Sequence, residues 1–205
     1  RATVLHRAAD AIDARVGSIG RTLVAESGKP IVEAEDELRV SAQIFRWSAE
    51  EGRRAYGRIV PGRDPRLLGM VVLEPCGPVA AFTPWNFPAL TPARKIAGAL
   101  AAGCTLVLKP AEETPATAMA LVQACLDAGI PAGAINLLLG DPPAISEQLI
   151  RAPQIRKVSL TGSVMAGRAV GRLAGEMLKP ATLELGGHAP FVVWHDADLD
   201  SAISW

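Results

Sequence analysis

The strongest constraint on this 205-residue sequence is a series of short apolar segments separated by helical patterns. The segments are Val79-Ala80-Ala81-Phe82, Thr105-Leu106-Val107-Leu108, Ile135 to Leu139, Val158-Ser159-Leu160, Thr182-Leu183-Glu184-Leu185 and Phe191-Val192-Val193-Trp194. Helix punctuation fills the intervals. Pro84 to Ala102 holds a turn and then a helix. Thr114 is placed to cap a helix with Pro115 at its first position and Gly129 at its close. Asp141-Pro142 opens another, and Thr161-Gly162-Ser163 opens one that runs to about Leu178. Strands that are apolar throughout leave neither face fit for water. The pattern therefore predicts an α/β fold, a doubly wound parallel sheet covered by helices on both sides.

Two helices are expected ahead of this region. Leu5, Ala8, Ile12, Val16, Ile19 and Leu23 recur at helical spacing and predict one helix over residues 3–27, closed by Gly28. Pro30 opens a second, with Ile31, Ala34, Leu38, Ala42, Phe45 and Ala49 on one face, ending near Gly52. Arg58-Ile59-Val60 and Leu68 to Leu73 then read as two strands around Pro61-Gly62-Arg63-Asp64-Pro65. This hairpin is either an ordinary surface hairpin or an arm that pairs with another subunit. The expected organisation is a helical lead-in over 1–52, a hairpin over 53–73 and an α/β domain over 74–205.

Several function classes are excluded. The chain has 21 basic and 21 acidic side chains, so it lacks the basic excess of a nucleic-acid binder. Three cysteines without a Cys-x-x-Cys pair and three histidines give no zinc site and no disulfide framework. The longest charge-free stretch, Pro75 to Ala93, is interrupted by prolines and Asn86, so no membrane segment is expected. No signal peptide opens the chain, and a reducing cytoplasm suits its cysteines. Gly-x-Gly-x-x-Gly does not occur. The segment Gly162 to Ala169 approaches a P-loop, but Arg168 and Ala169 stand where Lys and a hydroxyl are needed. No Gly-x-Ser-x-Gly or His-Glu-x-x-His is present.

Four segments carry a positive signal in their order and spacing: Phe82-Thr83-Pro84-Trp85-Asn86-Phe87-Pro88, Leu108-Lys109-Pro110-Ala111-Glu112-Glu113-Thr114-Pro115, Leu160-Thr161-Gly162-Ser163 and Leu183-Glu184-Leu185-Gly186-Gly187. Together the chain resembles the NAD(P)-dependent aldehyde dehydrogenase family, over nearly its whole length. The resemblance implies a variant Rossmann fold with N-terminal helices and an oligomerisation hairpin. It implies oxidation of an aldehyde to a carboxylic acid through a cysteine thioester, with the hydride passing to NAD or NADP.

The resemblance assigns roles to nine residues. Attack on the aldehyde and later hydrolysis each generate an oxyanion, which needs a fixed donor. Asn86 matches that position. Glu184 matches the base that takes a proton from the hydrolytic water, and its apolar neighbours Leu183, Leu185 and Val192 predict a buried carboxylate. That acid favours release of a free acid over transfer to coenzyme A. Lys109 matches a ligand of an adenosine-ribose hydroxyl, and Glu112 an acceptor from the ribose hydroxyls. A carboxylate repels a 2′-phosphate, which argues for NAD over NADP, while Lys109 would attract one. Ser163 opens a helix whose free N–H groups attract phosphate. Gly162 lets the backbone come close, and Thr83, Pro84 and Trp85 line the cleft.

Two departures stand out. His188 follows Gly186-Gly187, where the family most often has Lys or Asn. The family's Gly-Gln-x-Cys nucleophile segment does not occur in the 205 residues, and Cys76, Cys104 and Cys125 read as buried packing residues. Arg1 at the start, and a helix that begins at Asp198 and stops at Trp205, read as the ends of a fragment, inactive without the cysteine. The expected partners are a small-molecule aldehyde, a semialdehyde such as succinate semialdehyde being the best match, and further copies in a homodimer or homotetramer. A non-catalytic NAD-binding fragment and an assembly module lacking the nucleophile are the alternatives.

Overall fold

Val79, Ala80, Ala81 and Phe82 are buried at every position. A strand achieves that only with neighbours on both edges and helices on both faces. The computed structural model describes residues 1–204 and supplies both. Three helices lead in: α1 (Ala2–Asp13), α2 (Val16–Ser27) and α3 (Ile31–Arg53). An antiparallel hairpin, β1 (Arg58–Pro61) and β2 (Leu68–Val71), follows. Strands and helices then alternate as β3 (Val79–Phe82), α4 (Leu90–Ala101), β4 (Leu106–Lys109), α5 (Pro115–Asp127), β5 (Ile135–Leu137), α6 (Pro142–Arg151), β6 (Lys157–Gly162), α7 (Val164–Glu176) and β7 (Ala181–Leu185), with α8 (Leu199–Ile203) last.

The larger sheet is parallel in the order β5-β4-β3-β6-β7. The chain moves outward from β3 through β4 to β5, returns to the other side of β3 and moves outward again. Strand order therefore reverses between β3 and β6, where loops from their carboxyl ends part and leave a crevice.

The period of two along β3 divides the core. Val79 and Ala81 join the face that packs against the lead-in, α4 and α5, around Leu38, Phe45, Ile96, Leu108 and Leu121. Ala80 and Phe82 join the face covered by α6 and α7, with Ile150, Val158, Leu160 and Leu173. Truncating the fully buried Phe45 to Ala would cost about 3–5 kcal/mol. The lead-in shares its core with the sheet, and it also caps it. The Glu26 carboxylate on α2 accepts from the N–H groups of Ala116 (2.5 Å) and Thr117 (2.8 Å), which open α5.

Four local expectations need correction. The helix over 3–27 is two helices, broken at Ala14-Arg15. The break keeps Ile12, Val16 and Ile19 on the core side, so periodicity does not reveal it. Thr114 does not cap α5 through its side chain. Its hydroxyl is buried without a partner among the described residues, and Glu26 takes the cap. Phe191 to Trp194 is not a strand. No described segment lies beside β7 to pair with it, and these side chains are 44–71% exposed. Cys76 is exposed rather than buried; its sulfur lies 3.6 Å from that of Cys104, before β3 and β4. Elsewhere the punctuation holds: Gly28 closes α2 with φ 72°, and Asp141 caps α6 by accepting from Ala144 N–H. The terminal helix opens at Asp198 as expected, and Trp205 lies outside the described residues.

Among the described residues the hairpin strands pair only with each other and do not join the larger sheet, and Ile59, Leu68 and Met70 are exposed. Among the described residues no helix is long and apolar enough to cross a membrane.

Candidate active site

The carboxyl ends of β3, β6 and β7 border a cleft of about 790 Å³ at the strand-order reversal. After β3 the chain turns through Pro84, Trp85 and Asn86 before α4 begins. Trp85 is 56% exposed, so it serves the cleft and not the core. Asn86 is exposed along the same wall, and its side-chain amide has no hydrogen bond to any described residue. Glu184 enters from β7, held by parallel pairing of β7 with β6 that sets Thr161 beside Glu184. The burial expected of Glu184 is not present. Glu184 and Leu185 are exposed, and Val192, expected to help enclose them, is 71% exposed.

Lys109, the last residue of β4, is 5% exposed. Its ammonium bonds to Glu112 three residues on. That bond holds the Glu112 carboxyl below its ordinary value against an opposing desolvation. Both line a second cleft of about 330 Å³ between β3, β4 and the start of α6. Thr83 lines it too. Its hydroxyl is buried and finds no partner among the described residues. An orphaned buried hydroxyl costs free energy unless something satisfies it, which fits a hydroxyl-rich ligand such as a nucleotide ribose.

Pro84, Thr161 and Gly162 line both clefts. One elongated ligand could therefore occupy the two. A Cβ at Gly162 would meet only the Leu160 side chain, at 3.5 Å, an ordinary contact. The fold alone does not demand a glycine here. Ser163 is the N-cap of α7, its Oγ accepting from Ala166 N–H at 3.1 Å. The N–H groups of Val164 and Met165 have no backbone partner among the described residues, so the positive end of α7 stays open beside the first cleft. The structure thus brings Trp85, Asn86, Ser163 and Glu184 to one cleft and Thr83, Lys109 and Glu112 to the other.

Sequence reading missed two cations on α4, Arg94 and Lys95, which line the first cleft. Lys95 reaches Ser159 of β6 with a 3.0 Å bond. Burial pushes its ammonium down to about 8, while Glu184 opposes that change. Arg94 is exposed and forms no ion pair with a described residue. No local signal marks these two cations: a lysine beside an apolar helix face ordinarily keeps its ammonium in water, and Lys95 meets Ser159 only because α4 packs over β6.

None of the cysteines lines either cleft. Cys76 and Cys104 precede the amino ends of β3 and β4, and Cys125 is buried in α5, where burial pushes its thiol up to about 12.

Comparison with known proteins shows the family and the fold. The family model described as the aldehyde dehydrogenase family matches residues 1–205. The chain is 49% identical over 186 residues to 4-(hydroxymethyl)benzenesulfonate dehydrogenase TsaD1 of Comamonas testosteroni, covering 91% of the chain and 39% of that protein. It is 44% identical over 205 residues to the NADP(+) succinate-semialdehyde dehydrogenase GabD of Escherichia coli K12, covering 99% and 42%. A crystal structure of succinate-semialdehyde dehydrogenase from Burkholderia pseudomallei superposes with a TM-score of 0.95 at 45% identity, over 100% of this chain and 42% of the other. The chain therefore spans well under half the length of these relatives.

Proposed function

The chain belongs to the aldehyde dehydrogenase family, and from that premise we propose that the full-length protein oxidises an aldehyde bearing an anionic group to the carboxylic acid. The observation that carries this reading is the meeting in one cleft, at the strand-order reversal, of Asn86, Glu184 and Arg94, which forms no ion pair with a described residue.

The overall change is aldehyde plus water plus oxidised cofactor to acid, reduced cofactor and a proton. Enzymes of this family use NAD or NADP, and the nicotinamide dinucleotide, when bound, supplies the hydride acceptor. Lys109 and Glu112 would hold ribose hydroxyls, and the Thr83 hydroxyl would gain the partner it lacks. Ser163 and the open N–H groups of α7 would take the diphosphate. Trp85, Pro84 and Gly162 would form the wall. Glu112 favours NAD, since a second anion there repels a 2′-phosphate.

The chain's own chemistry needs three groups. The Asn86 side-chain N–H donates to the oxygen that becomes negative when a thiolate adds to the aldehyde carbon. Glu184 accepts a proton from the water that later cleaves the thioester. Lys95 stands as a partly buried cation beside Glu184 and sets the local field. The thiolate is assigned outside these 205 residues, because none of the three cysteines lines the cleft; the chain alone would bind cofactor without turnover. The hairpin at 53–73, with its exposed apolar side chains, is the proposed homo-oligomer contact.

Arg94 supports the substrate class. An unpaired guanidinium at a cleft invites a carboxylate or sulfonate, and relatives named for succinate semialdehyde and for a benzenesulfonate are similar to this chain. The test measures reduced-cofactor formation by the full-length gene product with succinate semialdehyde and with butanal. Succinate semialdehyde should give the higher kcat/KM, and Arg94→Gln should erase most of the preference, about tenfold to a hundredfold. Equal use of both aldehydes by the parent would refute the anionic class.

A further inference from the structure

The loop that carries Asn86 is held from outside the cleft by a buried ion pair. Lys29 Nζ lies 2.6 Å from Glu37 Oε2, and the two side chains are only 14% and 2% exposed. Each then makes further bonds to the loop. Glu37 Oε1 accepts from the N–H groups of Ala89 (2.8 Å) and Leu90 (3.0 Å). These open α4, which has no cap from its own residues and would otherwise leave them unsatisfied. Lys29 Nζ donates to the Asn86 carbonyl oxygen at 3.1 Å and sits 4.1 Å from the centre of the Phe87 ring.

Lys29 is itself pinned. It follows Gly28, which turns the chain in the left-handed conformation at φ 72°, its N–H donates to Ser27 Oγ at 3.2 Å, and Pro30 follows. Glu37 is fixed on α3, within the core shared with the sheet. The residues from Asn86 to Leu90 are thus tied at the Asn86 carbonyl, the Phe87 ring and two amides. Neither Lys29 nor Glu37 lines either cleft; both reach the site through the loop. The Asn86 side chain has no hydrogen bond to any described residue.

A buried ion pair is a poor way to add stability, since apolar replacements of similar volume often do as well. Fixing geometry is what such a pair does better, through directional bonds. We propose that Lys29 and Glu37 are positioning residues that hold the Asn86 backbone so that its side-chain amide faces the reacting carbonyl oxygen. The inference rests on the reading of Asn86 as the oxyanion donor.

The test uses the full-length gene product and a mutant cycle. Lys29→Met/Glu37→Gln removes both charges, keeps an acceptor for the Ala89 and Leu90 amides and preserves shape. It should lower kcat by about 10- to 100-fold, the cost of misplacing a reacting group, with cofactor KM and Tm little changed. Lys29→Arg, which retains a cation able to reach both partners, should recover most of the rate. In an Asn86→Ala background the same pair of substitutions should change kcat by less than about twofold, because the effect passes through Asn86. Equal losses with and without Asn86, or an unaltered kcat, would overturn the proposal. Asn86→Ala with full activity would overturn the oxyanion reading instead. Hydrogen exchange at Ala89 and Leu90 then decides the clamp by itself: faster exchange in Glu37→Leu is expected, and unchanged protection would refute it.

Discussion

Lys95 offers a test in which the cleft's chemistry is read as stability. Burial lowers its ammonium from the ordinary 10.5 to about 8. A displacement of that size corresponds to about 3 kcal/mol of unfavourable folding free energy for the charged form. Lys95 is only partly buried, and solvent screening reduces the figure to roughly 1–2 kcal/mol. The sign follows from proton binding. Below about pH 8 the lysine is charged in both the folded and unfolded chain, and the folded state bears the full cost. Between about 8 and 10.5 the unfolded chain binds a proton that the folded chain has released, so stability rises with pH. Above 10.5 the cost has gone. Lys95→Met should therefore be more stable than the parent at pH 7, by about 1–2 kcal/mol plus a pH-independent part from the added apolar surface. The pH-dependent part should vanish by about pH 11. Urea unfolding of both proteins at pH 7, 9 and 10.5 reads this difference. A variant less stable than the parent at pH 7, or a difference that does not change with pH, would refute the reasoning.

Three further outcomes are expected. Glu26→Ala should destabilise the chain by about 1–2 kcal/mol in urea unfolding, because it strips the cap from α5; a change below about 0.3 kcal/mol would leave the cap without energetic weight. Native alkylation at pH 8 followed by mass spectrometry should label exposed Cys76 and spare Cys125, whose thiol is pushed up to about 12; equal labelling would contradict the burial. Glu112→Gln should improve NADP binding relative to NAD by about tenfold in fluorescence titrations, and an unaltered ratio would remove Glu112 from cofactor choice.

The sequence carried much of this architecture because its signals are local. The apolar runs Val79–Phe82 and Leu106 to Leu108 have no polar face to offer water, and Asp141, Ser163 and Gly28 act within a few residues of themselves. Residues acting over long separations were not legible. Glu26 caps α5 from 90 residues away, and Glu37 reaches α4 across 52. No local pattern marks either, and the Thr114-Pro115 motif pointed to a cap that the buried hydroxyl does not make. Phe191 to Trp194 has the composition of a strand, yet a strand also needs a neighbour, and none of the described residues provides one. For the cleft, the motifs named Asn86 and Glu184 through resemblance, while Arg94 and Lys95 emerged only once α4 had been laid against β6. Burial of Glu184 is expected from its apolar neighbours, but strand alternation sends Leu183 and Leu185 to the opposite face, against α7, and Val192 is exposed, so none of them covers the carboxylate.

The division of labour in the cleft is tested most directly by following the first turnover of the full-length protein, mixing enzyme and cofactor with succinate semialdehyde and recording reduced cofactor in time. Asn86→Ala should slow the first hydride transfer by about 10²- to 10³-fold. Glu184→Gln should keep that first burst and slow the following turnovers by about 10²- to 10⁴-fold, since only hydrolysis needs the base. An unchanged burst in Asn86→Ala, or parental steady-state turnover in Glu184→Gln, would contradict the assignment of these two residues.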